Sequence, residues 1–423
     1  MKVYLDTVGC RLNQSEIEMM ARQFRAAGHE IVPLAQTADL AVVNTCAVTA
    51  EAASDSRAKI RHIAHTGVQD IVATGCWATL QPTQAASLPN VSRVINNDRK
   101  NLLVSEVLNL PEEAFALEPI ARQLLPGLRR RTRAFIKAQD GCNNHCTFCI
   151  TTVARGQSSS RSSAAVITDI QAALDGGTKE IVLTGVHLGS WGRELGMHLR
   201  NLVEAILHET DVPRLRLSSL EPWDLDASFF SLWEDARLCR HLHLPLQSGC
   251  AATLKRMARK TTPASYRKLV AAARAYMPDL AITTDAIAGF PGETEAEFAE
   301  SLDFVRDMDF AGGHAFTYSP RPGTAAARMI GQLELHIRKE RNAIFRGVFD
   351  EAARNFQKNF IGRRMPVLWE STTQLDDRGW RMEGWTGNYL RVAATAPKPM
   401  WNEISAVLLQ TFVGEGLAGQ IVT

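Results

Sequence analysis

Residues 134–149 read AFIKAQDGCNNHCTFC, and this stretch indicates both a fold and a chemistry. Its first part, AFIKAQ, is a short apolar run typical of a buried strand, and a tight cysteine-rich loop follows it directly. Cys142, Cys146 and Cys149, hereafter the loop triple, can direct three thiolates at one centre. A structural zinc site needs four ligands, so a zinc knuckle is the less favoured alternative. The set suits a four-iron cluster that leaves one iron open for a small ligand.

Strand and helix patterns continue to alternate after this loop. Helix-like stretches at 164–177 and 294–308 lie among short apolar runs, and the pattern gives six βα units, fewer than the eight of a full barrel. We therefore predict a part-barrel, whose ligands are expected at the carboxyl ends of its strands. The predicted strands span residues 134–139, 180–186, 215–220, 241–247, 281–290 and 312–319.

The first region, to about residue 125, shows a similar alternation and predicts a doubly wound parallel sheet. Its short apolar runs predict strands at 2–8, 40–45 and 70–75. Cys10, Cys46 and Cys76, hereafter the sheet-edge triple, each come at the end of one of these strands. Because parallel strands end at one edge of a sheet, we expect the three thiols to converge on a second iron–sulfur cluster. The alternative is that they are three small buried side chains.

Composition limits the remaining possibilities. A chain of 423 residues predicts two to four domains, and 45% hydrophobic with 22% charged residues excludes a wholly disordered, collagen-like or coiled-coil chain. The sequence has no apolar run long enough for a membrane helix, and Asp6 and Arg11 interrupt any secretory signal, so we expect a cytosolic protein. Its eight cysteines then favour metal or catalytic roles over disulfides. A net charge of +2 leaves nucleic-acid binding to local patches.

Two further regions complete the predicted domain organisation. Residues 122–137 contain basic and no acidic side chains, which indicates a linker that is either a solvated charged face or a phosphate contact. After about residue 358 the pattern becomes all-β and includes four of the eight tryptophans, which predicts a small β-barrel. The predicted domains are 1–125, 126–350 and 358–423.

Three motifs carry a resemblance to a known family. GCRLNQSE at 9–16, NTCAVT at 44–49 and ATGC at 73–76, ahead of the loop triple, resemble the radical S-adenosylmethionine (SAM) methylthiotransferase family. The resemblance covers essentially the whole chain. It implies an α/β fold in three parts: an N-terminal doubly wound parallel sheet with its own [4Fe-4S] cluster, a central radical SAM (β/α)6 part-barrel, and a C-terminal RNA-binding β-barrel called TRAM. The implied cluster ligands are the sheet-edge triple and the loop triple.

Within the family, GCRLNQ, NTCAVT and RLSSLEP at 216–222 look most like the branch that acts on N6-threonylcarbamoyladenosine in tRNA. The implied reaction is methylthiolation of C2 of that base at tRNA position 37. Branches that modify isopentenyladenosine or a ribosomal-protein aspartate are alternatives. Two other readings stay open: a non-catalytic iron–sulfur redox sensor that binds RNA, and a radical SAM enzyme of different chemistry with zinc at the sheet-edge triple.

The resemblance also implies cofactors and partners. The cofactors are two [4Fe-4S] clusters and SAM, with one SAM as radical source and a second as methyl donor. The partners are the anticodon loop of tRNA, an electron donor such as a flavodoxin or ferredoxin, and a sulfur source, with no membrane. No acid–base pair stands out. Cys239 is expected to be buried in the core, and Cys250 is expected to be either a small buried residue or a seventh thiol near the site. Residues at strand ends that are expected to face SAM, or else to serve as caps and turns, are Gly185, Ser219, Glu221, Gln247, Asp285 and Gly289.

Overall fold

The structure is a computed structural model that describes residues 1–111, 115, 123, 132–375 and 379–422. Most of the predicted basic linker, including Arg122 and the arginines at 129–131, lies outside these described residues. The chain divides into two compact units. The first comprises Met1–Asn144, Cys149–Gly177 and Thr184–Val186, and the second comprises His145–Phe148, Thr178–Leu183 and His187–Thr423. Within the described ranges, no helix is long and apolar enough to cross a lipid bilayer.

The first unit is built on a parallel sheet, as the sequence predicts, and this sheet has five strands. Its strands are β1 (Lys2–Thr7), β2 (Glu30–Ile31), β3 (Leu40–Thr45), β4 (Ile71–Gly75) and β5 (Val91–Ile95), in the order β2-β1-β3-β4-β5. Alternate residues of β3 face opposite layers, since Val42 lies in one hydrophobic cluster and Val43 in the other. The doubly wound parallel sheet is therefore confirmed. The short β2 and the half-exposed β5 were not predicted.

Helices cover both faces of this sheet. They are α1 (Arg11–Ala26), α2 (Ala50–His65), α3 (Cys76–Leu80), α4 (Pro82–Ala86) and α5 (Leu103–Leu108). Helix α1 buries Ile17, Met20 and Phe24 against β1, as its 3.6-residue apolar spacing requires. The unit continues with β6 (Arg133–Lys137), β7 (Gln139–Asp140), α6 (Thr151–Arg155), β8 (Ser159–Ser160) and α7 (Ser163–Asp175). The loop between β7 and α6 carries the loop triple.

The second unit contains the other five strands that the sequence predicts for the part-barrel. Its elements are β9 (Glu180–Thr184), α8 (Leu199–Glu209), β10 (Arg214–Leu217), β11 (His241–His243), α9 (Ala251–Arg256), α10 (Pro263–Tyr276), β12 (Ala281–Ala288), α11 (Glu295–Asp307), β13 (Gly312–Thr317) and α12 (Leu335–Lys358). Strand β9 pairs with β10 in parallel, and β12 pairs in parallel with both β11 and β13. A bridge between Ser219 and His243 links the segments after β10 and in β11. The six strands that the sequence predicts after residue 133 are all present, as β6 and β9–β13.

The C-terminal region is a closed barrel, also as predicted. Its strands are β14 (Arg364–Gln374), β15 (Trp380–Thr386), β16 (Arg391–Ala396), β17 (Ile404–Val413) and β18 (Gly416–Ile421), in the order β14-β15-β16-β18-β17. Val367, Trp369, Met382 and Leu409 fill its interior and are fully buried. Closure leaves no free sheet edge. The buried residues inside the barrel form one hydrophobic cluster.

One turn of this barrel contacts the strands of the part-barrel. The Tyr389 ring stacks on His241 at 4.6 Å between centroids, and the Arg216 guanidinium lies 4.5 Å above the same ring. Arg216, fully buried and paired with Glu180 at 2.7 Å, also donates a hydrogen bond to the carbonyl of Gly387. His241 and Glu180 begin their strands, so this contact lies at the amino ends. The contact therefore does not involve the carboxyl ends of these strands, where ligands are expected.

Candidate functional site

The first unit brings the sheet-edge triple together. Cys10 directly precedes α1 after β1, Cys46 directly follows β3, and Cys76 opens α3 after β4. Strand β3 pairs in parallel with β1 and β4, so the three strands end at one edge. The thiols are close enough for mutual electrostatic interaction, and Cys10 and Cys76 both affect the Cys46 pKa. Their role as metal ligands stays a prediction.

Two glycines make this convergence possible. Gly9 has φ +100°, and a Cβ placed on it would lie 2.5 Å from both Cβ and Sγ of Cys46. Gly75 has φ +94°, and its added Cβ would lie 2.3 Å from the carbonyl oxygen of Thr45. A side chain at either position would displace a neighbouring strand end. The glycine that precedes Cys10 and the glycine that precedes Cys76 are therefore required by close packing of the backbone.

Two thiols of this site, those of Cys10 and Cys46, are in surroundings that oppose their ionisation. Cys10 is exposed at the sheet edge, but desolvation by the surrounding protein raises the pKa of its thiol, and the Arg155 charge opposes the shift. Burial also raises the pKa of Cys46 to about 11. Across the described residues, no group of three or more His, Cys, Asp or Glu side chains is already arranged to hold a metal ion. The donor set of three converging thiols nevertheless fits iron, whose charge would drive their deprotonation.

Asn13 connects the strand ends to this site. Its Nδ2 donates to the carbonyl oxygens of Val8 at 2.8 Å and Thr45 at 3.0 Å. Its Oδ1 accepts from Nη2 of Arg155 at 2.7 Å and from the Cys10 thiol at 3.7 Å. One buried amide thus links the ends of β1 and β3 to the first cysteine. Such a partner around a ligand fixes its orientation.

A buried ion network lies beside Asn13, centred on Glu16, whose side chain is 1% exposed. The Glu16 carboxylate accepts from Nζ of Lys100 at 2.8 Å and from Nη1 of Arg155 at 2.9 Å, and Nζ of Lys137 lies 3.5 Å away. Burial alone would raise the pKa of Glu16, but these three cations hold it well below its ordinary value. The network therefore places a charged carboxylate and three cations in the interior of the first unit.

The thiols of the loop triple each accept a hydrogen bond. In the first unit, the backbone N–H of Asn144 donates to Cys142 Sγ and that of Thr151 donates to Cys149 Sγ, both at 3.4 Å. In the second unit, Nη1 of Arg259 lies 3.7 Å from Cys146 Sγ. Hydrogen bonds to sulfur stabilise thiolates and tune iron–sulfur clusters. The donor set of this loop thus fits the cluster that the sequence predicts.

Arg259 also holds Glu221, one of the residues predicted to face SAM. Its guanidinium donates to both carboxylate oxygens of Glu221, at 3.1 and 2.6 Å, and to the carbonyl of Pro245 at 2.7 Å. The indole of Trp223 lies 4.5 Å beneath the same guanidinium. The guanidinium of Arg259 is planar and the Arg259 side chain is only 2% exposed. Its two parallel hydrogen bonds therefore hold the Glu221 carboxylate in one orientation beside Cys146.

Three of the other predicted SAM residues lie close together: Asp285 is in β12, and Ser219 and Gln247 are in the segments that follow β10 and β11. Ser219 is bridged to His243, and the Asp285 carboxylate lies 3.2 Å from Nε2 of His243 and 3.4 Å from Nδ1 of His314. Although burial opposes the effect, these imidazoles lower the pKa of Asp285. Gln247, at φ +74°, donates its N–H to the backbone carbonyl of Asp285. The second unit therefore gathers Ser219, Gln247 and Asp285.

The two predicted glycines behave differently. Gly289 has φ +73°, its N–H donates to the Glu293 carboxylate at 3.0 Å, and an added Cβ would lie 2.3 Å from Cγ of Arg338. The turn that leads into α11 therefore requires a glycine at position 289, because a side chain there would overlap Arg338. Gly185 directly follows β9 in the first unit and is half-buried. The contact of any of these six residues with SAM stays a prediction.

Comparison with known proteins identifies the chain. Residues 136–305 match the Radical SAM superfamily, and residues 2–96 match a family described as "Uncharacterized protein family UPF0004". Threonylcarbamoyladenosine tRNA methylthiotransferase MtaB of Bacillus subtilis is 32% identical over 96% of this chain and 93% of that protein. MtaB of Thermotoga maritima is 36% identical over 87% of this chain and 86% of that protein. The chain belongs to the radical SAM methylthiotransferase family.

A second named activity occurs among the relatives of this methylthiotransferase. The tRNA-2-methylthio-N(6)-dimethylallyladenosine synthase of Erythrobacter litoralis is 32% identical over 95% of this chain and 96% of that protein. Among solved structures, the radical SAM methyltransferase TsrM of Kitasatospora setae has a TM-score of 0.60 at 16% identity, covering 77% of this chain and 75% of TsrM. The similarity to TsrM shows the fold. Membership of the radical SAM methylthiotransferase family indicates that the protein uses an iron–sulfur cluster and SAM.

Sequence reasoning missed several residues of the methylthiotransferase site. Arg155, Arg259 and Lys100 lie outside every motif, and a lone basic residue gives no signal of burial. Asn13 and Glu16 lie inside the GCRLNQSE motif, but the motif alone does not predict their contacts with Arg155. Cys239 is buried, as expected, and Cys250 is buried too.

Proposed function

We propose that this methylthiotransferase converts N6-threonylcarbamoyladenosine at position 37 of tRNA to its 2-methylthio derivative. The observation that carries the proposal is the convergence of the sheet-edge triple in a chain that also has the loop triple. Two sets of three thiols match the need for one centre that cleaves SAM and another that handles sulfur. The names of the Bacillus and Thermotoga relatives support threonylcarbamoyladenosine as the substrate.

Each triple would hold one [4Fe-4S] cluster, with SAM at the loop triple. When bound, these groups supply the one-electron chemistry, the sulfur and the methyl group. The chain's own residues position them. Arg259 orients Glu221 beside Cys146, the N–H groups of Asn144 and Thr151 bind the other two loop thiols, and Gly9 admits Cys46 to the sheet edge. Gly185, Ser219, Gln247, Asp285 and Gly289 are proposed to line the SAM site.

The three-domain division fits this proposal. Residues 1–125 would hold the sulfur-handling cluster, 126–350 the SAM-cleaving centre, and 358–423 the tRNA-binding barrel. A base in the anticodon loop is single-stranded, so it can be turned out into a pocket at low cost. An external one-electron donor, such as a flavodoxin or ferredoxin, and a sulfur source would complete the cycle.

Mass spectrometry of tRNA nucleosides tests the substrate. Cells that lack this protein should accumulate N6-threonylcarbamoyladenosine without its 2-methylthio form, and the wild-type gene should restore that form. Alanine variants of the sheet-edge triple or of the loop triple should not restore it. A deletion that instead removes 2-methylthio-isopentenyladenosine, or leaves both modified nucleosides intact, contradicts the proposal.

The two triples should also have separable roles in the purified protein. With the loop triple replaced by alanine, reductive cleavage of SAM should stop. With only the sheet-edge triple replaced, deoxyadenosine should still form after addition of reductant and SAM, while no sulfur reaches the tRNA. Loss of SAM cleavage in this second variant, with iron still bound at the loop triple, would contradict the division.

A further inference from the structure

Arg155 contacts the segments that carry both cysteine sites of the first unit. It ends α6, the helix that follows the loop triple, and its side chain is 3% exposed. The guanidinium donates to Asn13 Oδ1 at 2.7 Å, to Glu16 Oε1 at 2.9 Å and to Asp140 Oδ1 at 2.9 Å. Asn13 lies three residues after Cys10, and Asp140 lies two residues before Cys142. One side chain is thus bonded to the supports of two ligand-bearing segments.

The charges around this guanidinium do not cancel. Arg155, Lys100 and Lys137 contribute three positive charges, while Glu16 and Asp140 contribute two negative charges. A buried charge is costly unless it is compensated. The thiols of Cys10 and Cys76 are the additional groups that interact electrostatically with Arg155. Nη2 of Arg155 and the Cys10 thiol both donate to Oδ1 of Asn13, at 2.7 and 3.7 Å, so the surplus positive charge lies beside the position where thiolates and a cluster would carry negative charge.

An arginine makes two different contributions at this position. Its planar fork bonds an amide and two carboxylates in different directions, whereas a lysine ammonium is a single point charge. Asn13 would lose its contact with α6 if the guanidinium were absent, although its bonds to the carbonyls of Val8 and Thr45 would remain. The geometry therefore separates two contributions, orientation of the supports and positive charge.

We propose that Arg155 is a positioning residue that ties the Cys10 segment to the Cys142 segment and supplies the buried positive charge facing the cluster of the sheet-edge triple. The inference rests on the N-terminal cluster of the proposed function. A nearby positive charge stabilises the reduced, more negative cluster and raises its reduction potential. Removing that charge should therefore make the cluster harder to reduce.

Redox titration followed by electron paramagnetic resonance tests this role. The loop triple is replaced by alanine in full-length protein, so that the N-terminal cluster alone gives the signal. Arg155→Gln should shift the reduction potential to a more negative value, whereas Arg155→Lys, which retains the charge, should stay near that of native Arg155. Arg22→Gln is the matched control, because Arg22 pairs with Asp169 at 2.7 Å in the same unit. It should leave the potential unchanged.

The outcomes distinguish this inference from the proposed cluster. If the protein with native Arg155 binds no iron at the sheet-edge triple, the cluster and the inference are both overturned. Equal potentials for native Arg155 and Arg155→Gln, or an equal negative shift in Arg22→Gln, overturn the inference alone. If Arg155→Gln loses its iron, retention in Arg155→Lys and Arg22→Gln supports the inference, because the charge that Arg155→Lys keeps is then what the cluster requires. Loss in Arg22→Gln as well overturns it.

Discussion

Replacement of Gly9 by alanine should disrupt the sheet-edge triple. The added Cβ would lie 2.5 Å from Cβ and Sγ of Cys46, well inside the ordinary contact distance of 3.4–4 Å. The left-handed conformation at φ +100° costs an alanine about 1–2 kcal/mol, and relief of the overlap adds roughly 1–3 kcal/mol of overpacking. Gly67 also has φ +100°, but an added Cβ there meets nothing within 4 Å. Gly67→Ala therefore carries the backbone cost alone.

Iron content measures the difference between these two variants. Each substitution is made in protein whose loop triple is replaced by alanine, and iron is counted after anaerobic purification. Gly67→Ala should retain the iron of its parent, whereas Gly9→Ala should lose most of it because the Cys46 thiol is displaced. Full iron in Gly9→Ala would refute the reasoning that close approach of this backbone positions the thiol. Equal loss in both variants would assign the effect to backbone strain.

Three further predictions concern other contacts. Glu16→Gln should destabilise the first unit by about 3–5 kcal/mol, because it leaves buried cations uncompensated. Hydrogen exchange measures this loss. The control is Glu204→Gln, which removes a carboxylate from an exposed pair with Arg200 and should cost less than about 1 kcal/mol. Since the folded pKa of Glu16 is lowered, the contribution of its charge is present above its ordinary pKa and is lost as pH falls toward the folded value. Tyr389→Ala should destabilise the second unit by roughly 1–3 kcal/mol through lost stacking and cation–π contact, seen as a lower denaturant midpoint. Arg259→Met should weaken SAM binding about tenfold in equilibrium dialysis by releasing Glu221, with no change in fold by circular dichroism.

The positions of the cysteines and the parallel strands were predictable because their signals are local, while the role of the cysteines as ligands stays a prediction. Cys142, Cys146 and Cys149 are close in sequence, so one loop contains their chemistry. Cys10, Cys46 and Cys76 are far apart, but each follows an apolar run, and parallel strands end at one edge. The closed C-terminal barrel followed from its short strands and turns. In contrast, β2 has two residues and β5 exposes Ser92 and Arg93, so neither shows the pattern of a buried strand.

The residues that surround the sheet-edge triple could be identified only in the folded chain. Arg155 and Glu16 are 139 residues apart, and Lys100 and Glu16 are 84 residues apart. Their sequence context is that of ordinary charged residues, which are usually exposed. Burial and pairing depend on which segments meet, and no local pattern encodes that. Cysteine spacing in the linear chain therefore predicts the ligand chemistry, whereas the charge and the hydrogen bonds around those cysteines arise from long-range contacts.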